Sequence, residues 1–492
     1  MTAGTAARPI APAGPVGLLI GSDRITTTSG GVHHRHIDPA TGMTNTTVAL
    51  ASAVEIDLAV AAATAAQREW VALTVDRRRD MLIGLADLVH QHLDELAALN
   101  VHDYGVPVSF AGTAVLLERF LRHFAGYVDK PHGSSTPVHG SFDVNLIERE
   151  PYGVVAVIAP WNGSLAVAAS CVAPALAAGN GVVFKPSELA PLAALRFGEL
   201  CLAAGLPPGL VNVVTAGADG GDALVRHPGI RKIHFTGGGT TARAVVRAAA
   251  DNLTPVVAEL GGKSANVIFE DADLDTAAVL SAHQGPLMQS GQSCACASRL
   301  LVHESVYDAF AEKFLAVVGA AKIGDPFDPT VGFGPVISES AVDRILHTID
   351  AATAHGAGEL LVGGQRMGGE LAQGFYVEPT VLGNVDNSSD LAQVETFGPV
   401  VSLIRFTDED HAVRLANDTP FGLNAFIHTR DLRRAHGVAR QLEAGSVWVN
   451  TFSDMAPQGP YGGYKQSGYG RTGGIDGLNE FLQIKNIRIG MG

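Results

Sequence analysis

The chain has 492 residues, and its 57 glycines and 25 prolines make up about a sixth of them, which excludes a long coiled coil or a plain helical array. With 47% hydrophobic residues the chain can bury substantial cores, and its length predicts two to four domains of roughly 100 to 200 residues each. The 34 basic and 49 acidic residues give a net charge of −15, so neither nucleic acid nor an anionic membrane is expected as a partner.

The number of cysteines and the hydropathy of the chain indicate its cellular compartment. The cysteines are too few and too irregularly spaced for a disulfide framework or a four-ligand zinc site. Residues 1–16 lack the basic region and unbroken apolar core of a secretory signal. The most apolar later stretch, 165–179, is shorter than the roughly 20 residues of a membrane-spanning helix. We therefore expect a soluble, reduced, cytoplasmic protein.

The N-terminal third of the chain is predicted to be mostly helical. Apolar residues recur at a spacing of about 3.6 through residues 54–89, which is typical of two or more amphipathic helices. Residues 131–147 differ, because they are rich in glycine, serine and proline and then alternate in polarity over 142–147. That segment predicts a β-hairpin that leaves the core.

From about residue 150 onward, short β-branched runs alternate with helix-compatible segments, which is typical of an α/β fold with parallel sheets. A second half begins near residue 262, repeats the alternation through 447–449 and, after a glycine-rich stretch, ends in a strand at 483–489. The other predicted strands are 154–159, 182–184, 211–214, 232–235, 256–259 and 265–269, and the predicted helices include 191–204 and 240–251.

A glycine-rich turn follows the predicted strand at 232–235. Gly237, Gly239 and Ala242 fit the GxGxxG/A pattern, in which small residues let backbone amides and a helix N-terminus approach a pyrophosphate. With the flanking strand and helix, the turn predicts a nucleotide site. Spacing alone would then assign Glu259, 22 residues after Gly237, to the adenosine ribose.

Cys294 is the candidate nucleophile. It lies with Cys296 in a run of small residues, where backbone amides are accessible and a substrate carbonyl could approach closely. A cysteine nucleophile needs a lowered pKa or an assisting base. The alternative is that both cysteines are small core residues. A metal site is not expected, because no HxxxH or second CxxC accompanies the pair.

An acidic cluster superficially begins like a calcium loop, with Asp271, Asp273 and Asp275 at alternate positions. Thr276 stands where such a loop needs glycine, and Ala282 stands where it needs a bidentate glutamate. The cluster is better interpreted as a helix N-cap with acidic first-turn residues.

Histidines cluster near the N-terminus at His33, His34 and His36. They would bind a metal only if a carboxylate or thiolate converged on them. We expect an exposed N-terminal loop instead, and no metal site is predicted.

Seven motifs occur in the same order as in one family of enzymes, and through them the chain resembles the NAD(P)-dependent aldehyde dehydrogenase superfamily over roughly residues 37–489. Each motif is short, and their common order carries the resemblance. They are APWN at 159–162, GN at 179–180 with KPSE at 185–188, FTGG at 235–238, ELGGK at 259–263, GQSC at 291–294, ETFGP at 395–399, and GGYK at 462–465 with SG at 467–468 and GR at 470–471.

The resemblance implies the aldehyde dehydrogenase fold, which combines a Rossmann-like cofactor domain, an α/β catalytic domain and a small β oligomerisation arm. The implied boundaries are 1–130 and 148–261 for the cofactor domain, 262–465 for the catalytic domain, and 131–147 with 475–492 for the arm. Because the exposed edges of such an arm pair between subunits, a homodimer or homotetramer is expected.

The resemblance also implies the chemistry. Cys294 takes the position of the nucleophile that attacks the aldehyde, and Asn162 takes that of a side-chain donor to the oxyanion, beside the backbone amide of Cys294. Glu259 matches the base that activates water to hydrolyse the thioester, which replaces its assignment to a ribose. The implied reaction is oxidation of an aldehyde to a carboxylic acid.

Further positions match the family's cofactor contacts, with Lys185 and Glu188 at the adenosine ribose and Glu395 and Phe397 at the nicotinamide end. A carboxylate accepts both hydroxyls of an unmodified ribose but repels a 2′-phosphate, so NAD is favoured over NADP. Lys263 is expected to be structural. The implied contacts are Trp161, Lys185, Ser187, Glu188, Phe235, Thr236, Gly237, Gly238, Leu260, Glu395 and Phe397.

Some positions depart from the family's pattern. Gly238 replaces a common serine and removes one hydroxyl donor near the pyrophosphate. Cys171 replaces a common lysine, so a polar link between the base and solvent is missing or rerouted. Thr472 and Gln483 each replace a common glutamate.

The residues after Asn162 predict the substrate class. Gly163 stands where a bulky apolar residue is frequent, and on a helix it would share one face with Val167 and Ser170. These modest side chains predict a wide tunnel for an aromatic, branched or long-chain aldehyde. The alternative is that this face packs closely against another helix.

Two other readings stay open. In the coenzyme A-acylating relatives the thioester passes to a thiol, but that class generally lacks the base that Glu259 would supply. The chain could also be a catalytically silent scaffold of the same fold, since a fold alone does not prove activity.

Overall fold

The computed structural model describes residues 14–110, 112–140 and 142–491. Residues 1–13 therefore lie outside the described residues. They include most of the segment predicted to lack a secretory signal, and they begin the predicted cofactor domain. Ser141 of the predicted hairpin and Gly492 of the predicted arm lie outside them as well. Within the described residues, none of the helices combines the length and the apolar character that crossing a membrane requires.

Strands occur along the whole described chain and include short ones near residue 20 and near residue 465. In chain order they are β1 (Leu18–Ile20), β2 (Asp23–Ile25), β3 (His33–Ile37), β4 (Thr44–Ala49), β5 (Ser134–Thr136), β6 (Val144–Pro151), β7 (Val154–Ile158), β8 (Gly181–Lys185), β9 (Val211–Val213), β10 (Lys232–Gly237), β11 (Val256–Leu260), β12 (Ser264–Ile268), β13 (Ala297–His303), β14 (Glu359–Val362), β15 (Thr380–Gly383), β16 (Val400–Phe406), β17 (Phe421–Gly422), β18 (Asn424–His428), β19 (Ser446–Val449), β20 (Tyr464–Lys465), β21 (Gly468–Tyr469) and β22 (Leu482–Ile489).

Helices connect most of these strands. In chain order they are α1 (Ala53–Ala72), α2 (Val75–Gln91), α3 (Leu93–Tyr104), α4 (Thr113–Ala125), α5 (Ser164–Val167), α6 (Ala173–Ala177), α7 (Leu192–Ala203), α8 (Ala218–Arg226), α9 (Gly239–Ala249), α10 (Leu274–Gln284), α11 (Tyr307–Gly319), α12 (Glu339–Ala354), α13 (Asp390–Gln393), α14 (Glu409–Asn417), α15 (Leu432–Gln441) and α16 (Gly474–Asn479), with a π-helical turn (Ala168–Val172) between α5 and α6.

The first sheet has the strand order β2-β1-β9-β8-β7-β10-β11-β21. Its centre, from β9 to β11, is parallel, and β1 and β21 add antiparallel strands on either side. Alternate residues of β7 enter two cores, with Val155 and Val157 in one and Val154 and Ala156 in the other. Burial on both faces explains why these strands are continuous apolar runs.

The second sheet has the order β14-β15-β16-β13-β12-β18-β19 and is parallel except for β14. It also has one core on each face. Two parallel sheets covered by helices confirm the predicted α/β class.

A separate antiparallel sheet joins β22, β6 and β5. Its register pairs Leu482 with Pro151 at one end and Ile489 with Val144 at the other. The predicted hairpin at 131–147 and the predicted strand at 483–489 are therefore confirmed, and they belong to one sheet. Ile484 and Ile489 on β22 are exposed.

The sequence predicted the six strands between residues 154 and 269 within one or two residues, but it gave no bounds for β13, β15, β16 and β18 and was less accurate before residue 54. The helical prediction holds over 53–125, whereas residues 18–49 contain the four strands β1 to β4. The prediction of a histidine loop is wrong, because His33, His34 and His36 all lie on β3. The predicted exposure holds for His33, whereas His36 is fully buried and contacts Asp103 at 3.2 Å. Asp103 also accepts hydrogen bonds from the backbone amides of Leu192 and Ala193 at the start of α7, so this buried pair is structural.

The acidic cluster near residue 271 behaves as the N-cap interpretation predicted. Asp273 caps α10 and accepts a hydrogen bond from the amide of Thr276 at 3.2 Å. Asp271 instead binds the backbone amides of Arg430 and Asp431. Among the residues that the structure describes, no group of three or more histidine, cysteine, aspartate or glutamate side chains could hold a metal ion.

Candidate active site

A cavity of about 600 Å³ lies at the carboxyl ends of the parallel strands β7, β10 and β11. Clefts at this edge are where open α/β sheets bind ligands. Ten of the residues proposed from the sequence line it: Trp161, Asn162, Thr236, Gly237, Gly238, Glu259, Leu260, Cys294, Glu395 and Phe397.

The loop that carries Cys294 is held in an unusual backbone conformation. Gln289, Ser290 and Gly291 all have positive φ angles, of 50°, 56° and 71°. A Cβ atom on Gly291 would lie 2.0 Å from the carbonyl oxygen of Gly398, so only glycine fits there. The close approach places the Cys294 loop directly against the strand that begins at Val400.

Gln292 fixes the same loop through its buried side chain. Its Oε1 accepts a hydrogen bond from the amide of Ile337 at 2.8 Å. Its Nε2 donates to the carbonyl oxygens of Gln289 at 3.1 Å and Pro335 at 3.2 Å. All three partners are backbone groups, so the side chain defines the loop geometry precisely. The sequence motif contained Gln292, but sequence reasoning gave it no role.

Asn162 reaches this loop from the first sheet. Its Nδ2 donates a hydrogen bond to the carbonyl oxygen of Gln292 at 2.9 Å, two residues before Cys294. A carboxamide nitrogen carries two hydrogens, so one donor remains for another acceptor. The structure thus brings together two of the residues that the sequence predicted to cooperate.

The thiol of Cys294 lies among acidic groups. Burial, together with the nearby carboxylates Glu395 and Glu259, raises the pKa of Cys294 to about 12. The Tyr461 side chain acts in the opposite direction and lowers the pKa. In this environment the protein alone favours the neutral thiol.

Glu259 is the last residue but one of the strand β11 and is 6% exposed. Neither carboxylate oxygen has a hydrogen-bond partner among the described residues. Burial raises the pKa of Glu259 well above its usual value, Arg471 lowers the pKa and Glu480 raises it. A carboxylate left without protein donors can accept a hydrogen bond from a water molecule.

The predicted pyrophosphate turn lies at the N-terminus of α9. Gly238 is the N-cap residue, and no atom comes within 4 Å of the position where its Cβ would be, so the first turn of the helix faces open space. Phe235 lies below this turn in a core and does not line the cavity. The bare helix start suits an anionic group.

The predicted ribose contacts lie on the segment that follows β8. Lys185 is buried, and its Nζ is 4.0 Å from Oε2 of the half-exposed Glu188. Burial lowers the pKa of Lys185, and Glu188 raises it. Ser187 accepts a hydrogen bond from the amide of Leu189 at 3.3 Å and so fixes the turn.

At the opposite end of the cavity, Glu395 accepts a hydrogen bond from the amide of Gly262 at 2.9 Å, and burial raises its pKa. The rings of Trp161 and Phe397 meet edge to face at 5.4 Å. Lys263 is fully buried and contacts Oγ1 of Thr396 at 3.5 Å, as expected of a structural lysine.

A second cavity, of about 350 Å³, adjoins Tyr461. Sequence reasoning missed its wall, although Tyr461 immediately precedes the recognised GGYK motif. The residues that line it are Phe120, Gly445, Ser446, Val447, Trp448, Asp454, Met455, Ala456, Gly459, Pro460, Tyr461, Thr472 and Gly473.

The residues proposed from the sequence for a tunnel lie elsewhere. Gly163 is the N-cap residue of α5, and Val167 belongs to the core beside the first sheet. Ser170 lies in the π-helical turn and donates to the carbonyl oxygen of Ala166 at 2.9 Å. A π turn takes up an extra residue, so the helical spacing on which the tunnel prediction depends is interrupted. None of the three lines either of the two cavities described above.

Three residues that depart from the family's sequence pattern make contacts with residues near them in the fold. Cys171 is buried, with Sγ 3.3 Å from Nδ1 of His234. Thr472 pairs through its backbone with Tyr461, and Nε2 of Gln483 donates to the carbonyl oxygen of Pro151 at 3.3 Å.

Comparisons with known proteins agree with this geometry. The sequence model of the Aldehyde dehydrogenase family matches residues 26–487. A putative aldehyde dehydrogenase from Burkholderia cenocepacia is 38% identical to this chain and superposes with a TM-score of 0.93. The match covers 96% of this chain and 97% of the Burkholderia chain. Betaine aldehyde dehydrogenase from Staphylococcus aureus, solved with NAD⁺, is 34% identical to this chain, with a TM-score of 0.93. The match covers 96% of this chain and 94% of the Staphylococcus chain. PnpE from Pseudomonas sp. WBC-3, solved with nicotinamide adenine dinucleotide, is 37% identical to this chain, with a TM-score of 0.93. The match covers 96% of this chain and 97% of the PnpE chain.

The side chain of Gln292 provides a test of how the nucleophile loop is held. Replacing Gln292 by Ala leaves the buried amide of Ile337 and the carbonyl of Pro335 without their side-chain partner, whereas the carbonyl of Gln289 keeps the backbone amide of residue 292. We expect the free energy of unfolding to fall by about 3 kcal/mol. Denaturant unfolding measures this change. The control is Gln91→Ala at the exposed end of α2, which should change the free energy by less than about 0.5 kcal/mol. Equal effects of the two substitutions would contradict the assignment.

Proposed function

The chain belongs to the aldehyde dehydrogenase family, and from this premise we propose that it oxidises an aldehyde to the carboxylic acid with NAD, through a thioester on Cys294 that Glu259 helps to hydrolyse. The observation that carries the proposal is the hydrogen bond of Asn162 to the Cys294 loop, in the cleft that Glu259 also lines.

The residues of the cleft suit NAD. The bare N-terminus of α9 beside Gly238 would receive the pyrophosphate, and the carboxylate of Glu188 would accept the hydroxyls of an adenosine ribose. That carboxylate would repel a 2′-phosphate, which favours NAD over NADP. The S. aureus and Pseudomonas neighbours were both solved with this dinucleotide. When bound, NAD supplies the hydride acceptor for the oxidation.

Cys294 and Asn162 would carry out the first step. Attack by Sγ on the aldehyde carbon forms a C–S bond and moves an electron pair onto the carbonyl oxygen, giving a thiohemiacetal. The free hydrogen of the Asn162 amide and the backbone amide of Cys294 would bind that oxygen. Losing one such donor typically slows a reaction roughly a hundred- to a thousand-fold. Loss of a hydride from the same carbon leaves the thioester.

Glu259 would serve the second step. Its carboxylate takes a proton from water while the water oxygen attacks the thioester carbon, and cleavage of the C–S bond returns the sulfur to Cys294. The absence of protein hydrogen bonds to Glu259 within the described residues leaves both oxygens free for that water. A buried carboxylate in this place argues against transfer to coenzyme A, and it also argues against a silent scaffold.

The second cavity supports a bulky, aromatic or long-chain substrate. Its wall includes Phe120, Trp448, Met455 and Tyr461, and aromatic side chains of this kind bury large apolar groups. The proposal of a wide tunnel therefore depends on these residues more than on Gly163, Val167 and Ser170.

The arm supports assembly into a homodimer or homotetramer. We place it at 131–147 and 475–492, beside a cofactor domain at 1–130 and 148–261 and a catalytic domain at 262–465. The antiparallel sheet of β22, β6 and β5 carries exposed Ile484 and Ile489, which suits a surface that pairs with another copy.

Cys294→Ala tests the proposed nucleophile. Formation of NADH from NAD and an aldehyde, followed by absorbance, should fall to the level of a sample without protein, because no covalent intermediate can form. Cys296→Ala should retain activity, since its Sγ is directed to the carbonyl of Met288. Full NADH production by Cys294→Ala would overturn the mechanism.

The raised pKa of Glu259 predicts the pH dependence of turnover. A base must be deprotonated to act, so the steady-state rate should rise with pH through a value well above the ordinary pKa of glutamate. Glu259→Gln should lose this rise and slow turnover by about a hundred-fold while keeping a rapid first burst of NADH. A variant whose burst disappears together with turnover would contradict a role confined to hydrolysis.

An aldehyde panel tests the substrate proposal. Burying an aromatic ring contributes about 1.5 to 3 kcal/mol, so kcat/KM for an aryl aldehyde should exceed that for acetaldehyde by at least about tenfold. Trp448→Ala should reduce this ratio if the ring lies in the second cavity. A clear preference for acetaldehyde would refute the proposal.

A further inference from the structure

Gly462 lies between the side chains of Glu259 and Arg471. A Cβ atom on Gly462 would lie 2.7 Å from Oε1 of Glu259 and 2.9 Å from Cδ of Arg471. It would also lie 2.7 Å from the carbonyl oxygen of Gly470. The carboxylate of Glu259 and the side chain of Arg471 therefore border the same small space, which only a residue without a side chain leaves open.

Two backbone carbonyl groups hold the guanidinium of Arg471 beside this space. Its Nη1 donates hydrogen bonds to the carbonyl oxygens of Gly463 at 3.2 Å and of Gly470 at 2.6 Å. The carbonyl oxygen of Gly470 is the one that also borders the space at Gly462. The cation therefore cannot turn away from Glu259 without breaking both of these hydrogen bonds.

The segment that carries Arg471 is tied to the strand that carries Glu259. Strand β21 pairs with β11 and places Gly468 opposite Glu259. Tyr461 and Thr472 close the segment through two backbone hydrogen bonds, with N to O distances of 2.7 Å and 2.8 Å. Arg471 and Glu259 are thus held near each other by the backbone as well as by their side chains.

The other titratable groups near Glu259 do not favour an ionised carboxylate. Burial raises the pKa of Glu259 most, Arg471 lowers it, and Glu480 raises it. Glu480 itself pairs with Nζ of Lys232 at 2.9 Å. Burial and Glu259 both raise the pKa of three further neighbours, so these stay neutral: Cys171, Cys294 and Tyr461. Arg471 is the cation among these neighbours.

We propose that Arg471 is a positioning residue for the base: across the space left by Gly462, its fixed positive charge keeps the Glu259 carboxylate ionised for hydrolysis of the thioester. The inference rests on the proposed function, because it takes Glu259 as the base. In this step a water proton moves to Glu259, the water oxygen bonds to the thioester carbon, and the C–S bond to Cys294 breaks. Arg471 keeps all of its protons.

Hydrolysis of an acetylated Cys294 measures this effect without cofactor or aldehyde. The probe is 4-nitrophenyl acetate, which transfers its acetyl group to the thiol and releases nitrophenolate. After removal of excess reagent, mass spectrometry follows loss of the acetyl group from Cys294 at several pH values. Arg471→Met should hydrolyse this thioester about tenfold more slowly wherever the rate still rises with pH, and the rise should move upward by about one pH unit. Arg471→Lys keeps the charge and should restore most of the rate.

A second background separates an effect on Glu259 from damage to the segment. In Glu259→Gln, the further substitution Arg471→Met should not slow hydrolysis again, because no carboxylate is left to ionise. Arg433→Met, at an exposed position of α15, is the matched control and should hydrolyse the thioester at the wild-type rate. Melting temperatures identify any variant that fails to fold. Arg471→Gln, which keeps a hydrogen-bond donor, replaces Arg471→Met in that case.

The outcomes separate this inference from the function on which it rests. Wild-type hydrolysis by Arg471→Met, or an equal slowing by that substitution in the Glu259→Gln background, would overturn the role of Arg471 and leave Glu259 as the base. Wild-type hydrolysis by Glu259→Gln would instead overturn the step that the proposed function assigns to Glu259, and the inference with it. A slow, pH-shifted Arg471→Met whose effect disappears in Glu259→Gln supports both.

Discussion

The hydrogen bond from Asn162 to the carbonyl of Gln292 is the contact on which the arrangement of the site depends. Asn162 follows β7 of the first sheet, and Gln292 precedes β13 of the second, so one bond of 2.9 Å links the two sheets near Cys294. Gln292 in turn binds three backbone groups, and Gly291 permits the contact with Gly398. Asn162 and the loop that carries Cys294 are therefore positioned by one continuous set of hydrogen bonds rather than independently of each other.

This rigid frame creates an electrostatic conflict that the site must resolve. The carboxylates Glu259 and Glu395 surround a thiol that has to become negative, and burial strengthens each of these interactions. Arg471 lowers the pKa of Glu259, but burial has the larger effect and raises it. Nη1 of Arg471 donates hydrogen bonds to the carbonyl oxygens of Gly463 and Gly470. Burial and both carboxylates therefore disfavour a negative sulfur at Cys294.

Much of this could be predicted from the sequence, because continuous apolar runs identify buried parallel strands directly. Motif order likewise identified Cys294, Glu259 and Asn162, which the structure places in one cleft or its wall. Most of the earliest strands were missed because they are polar rather than continuous apolar runs, as in His33–Ile37 and Thr44–Ala49, and His36 was misjudged because its partner Asp103 is 67 residues away. The substrate wall could not be predicted either, because residues as distant as Phe120 and Tyr461 form it only in the folded chain.

One departure from the family's pattern, Cys171, lies close enough to Glu259 for the carboxylate to influence its thiol. Cys171 replaces a common lysine, and its Sγ contacts His234 at 3.3 Å. Burial lowers the pKa of His234 to about 3, so this pair carries no charge near neutral pH. With Thr472 also neutral, neither substituted position supplies a charged or hydrogen-bonding partner to Glu259, and both oxygens of that carboxylate are unpaired within the described chain. Burial is the main cause of the raised pKa of Glu259, and a neutral side chain at position 171, where the family commonly has a cation, does not oppose that rise.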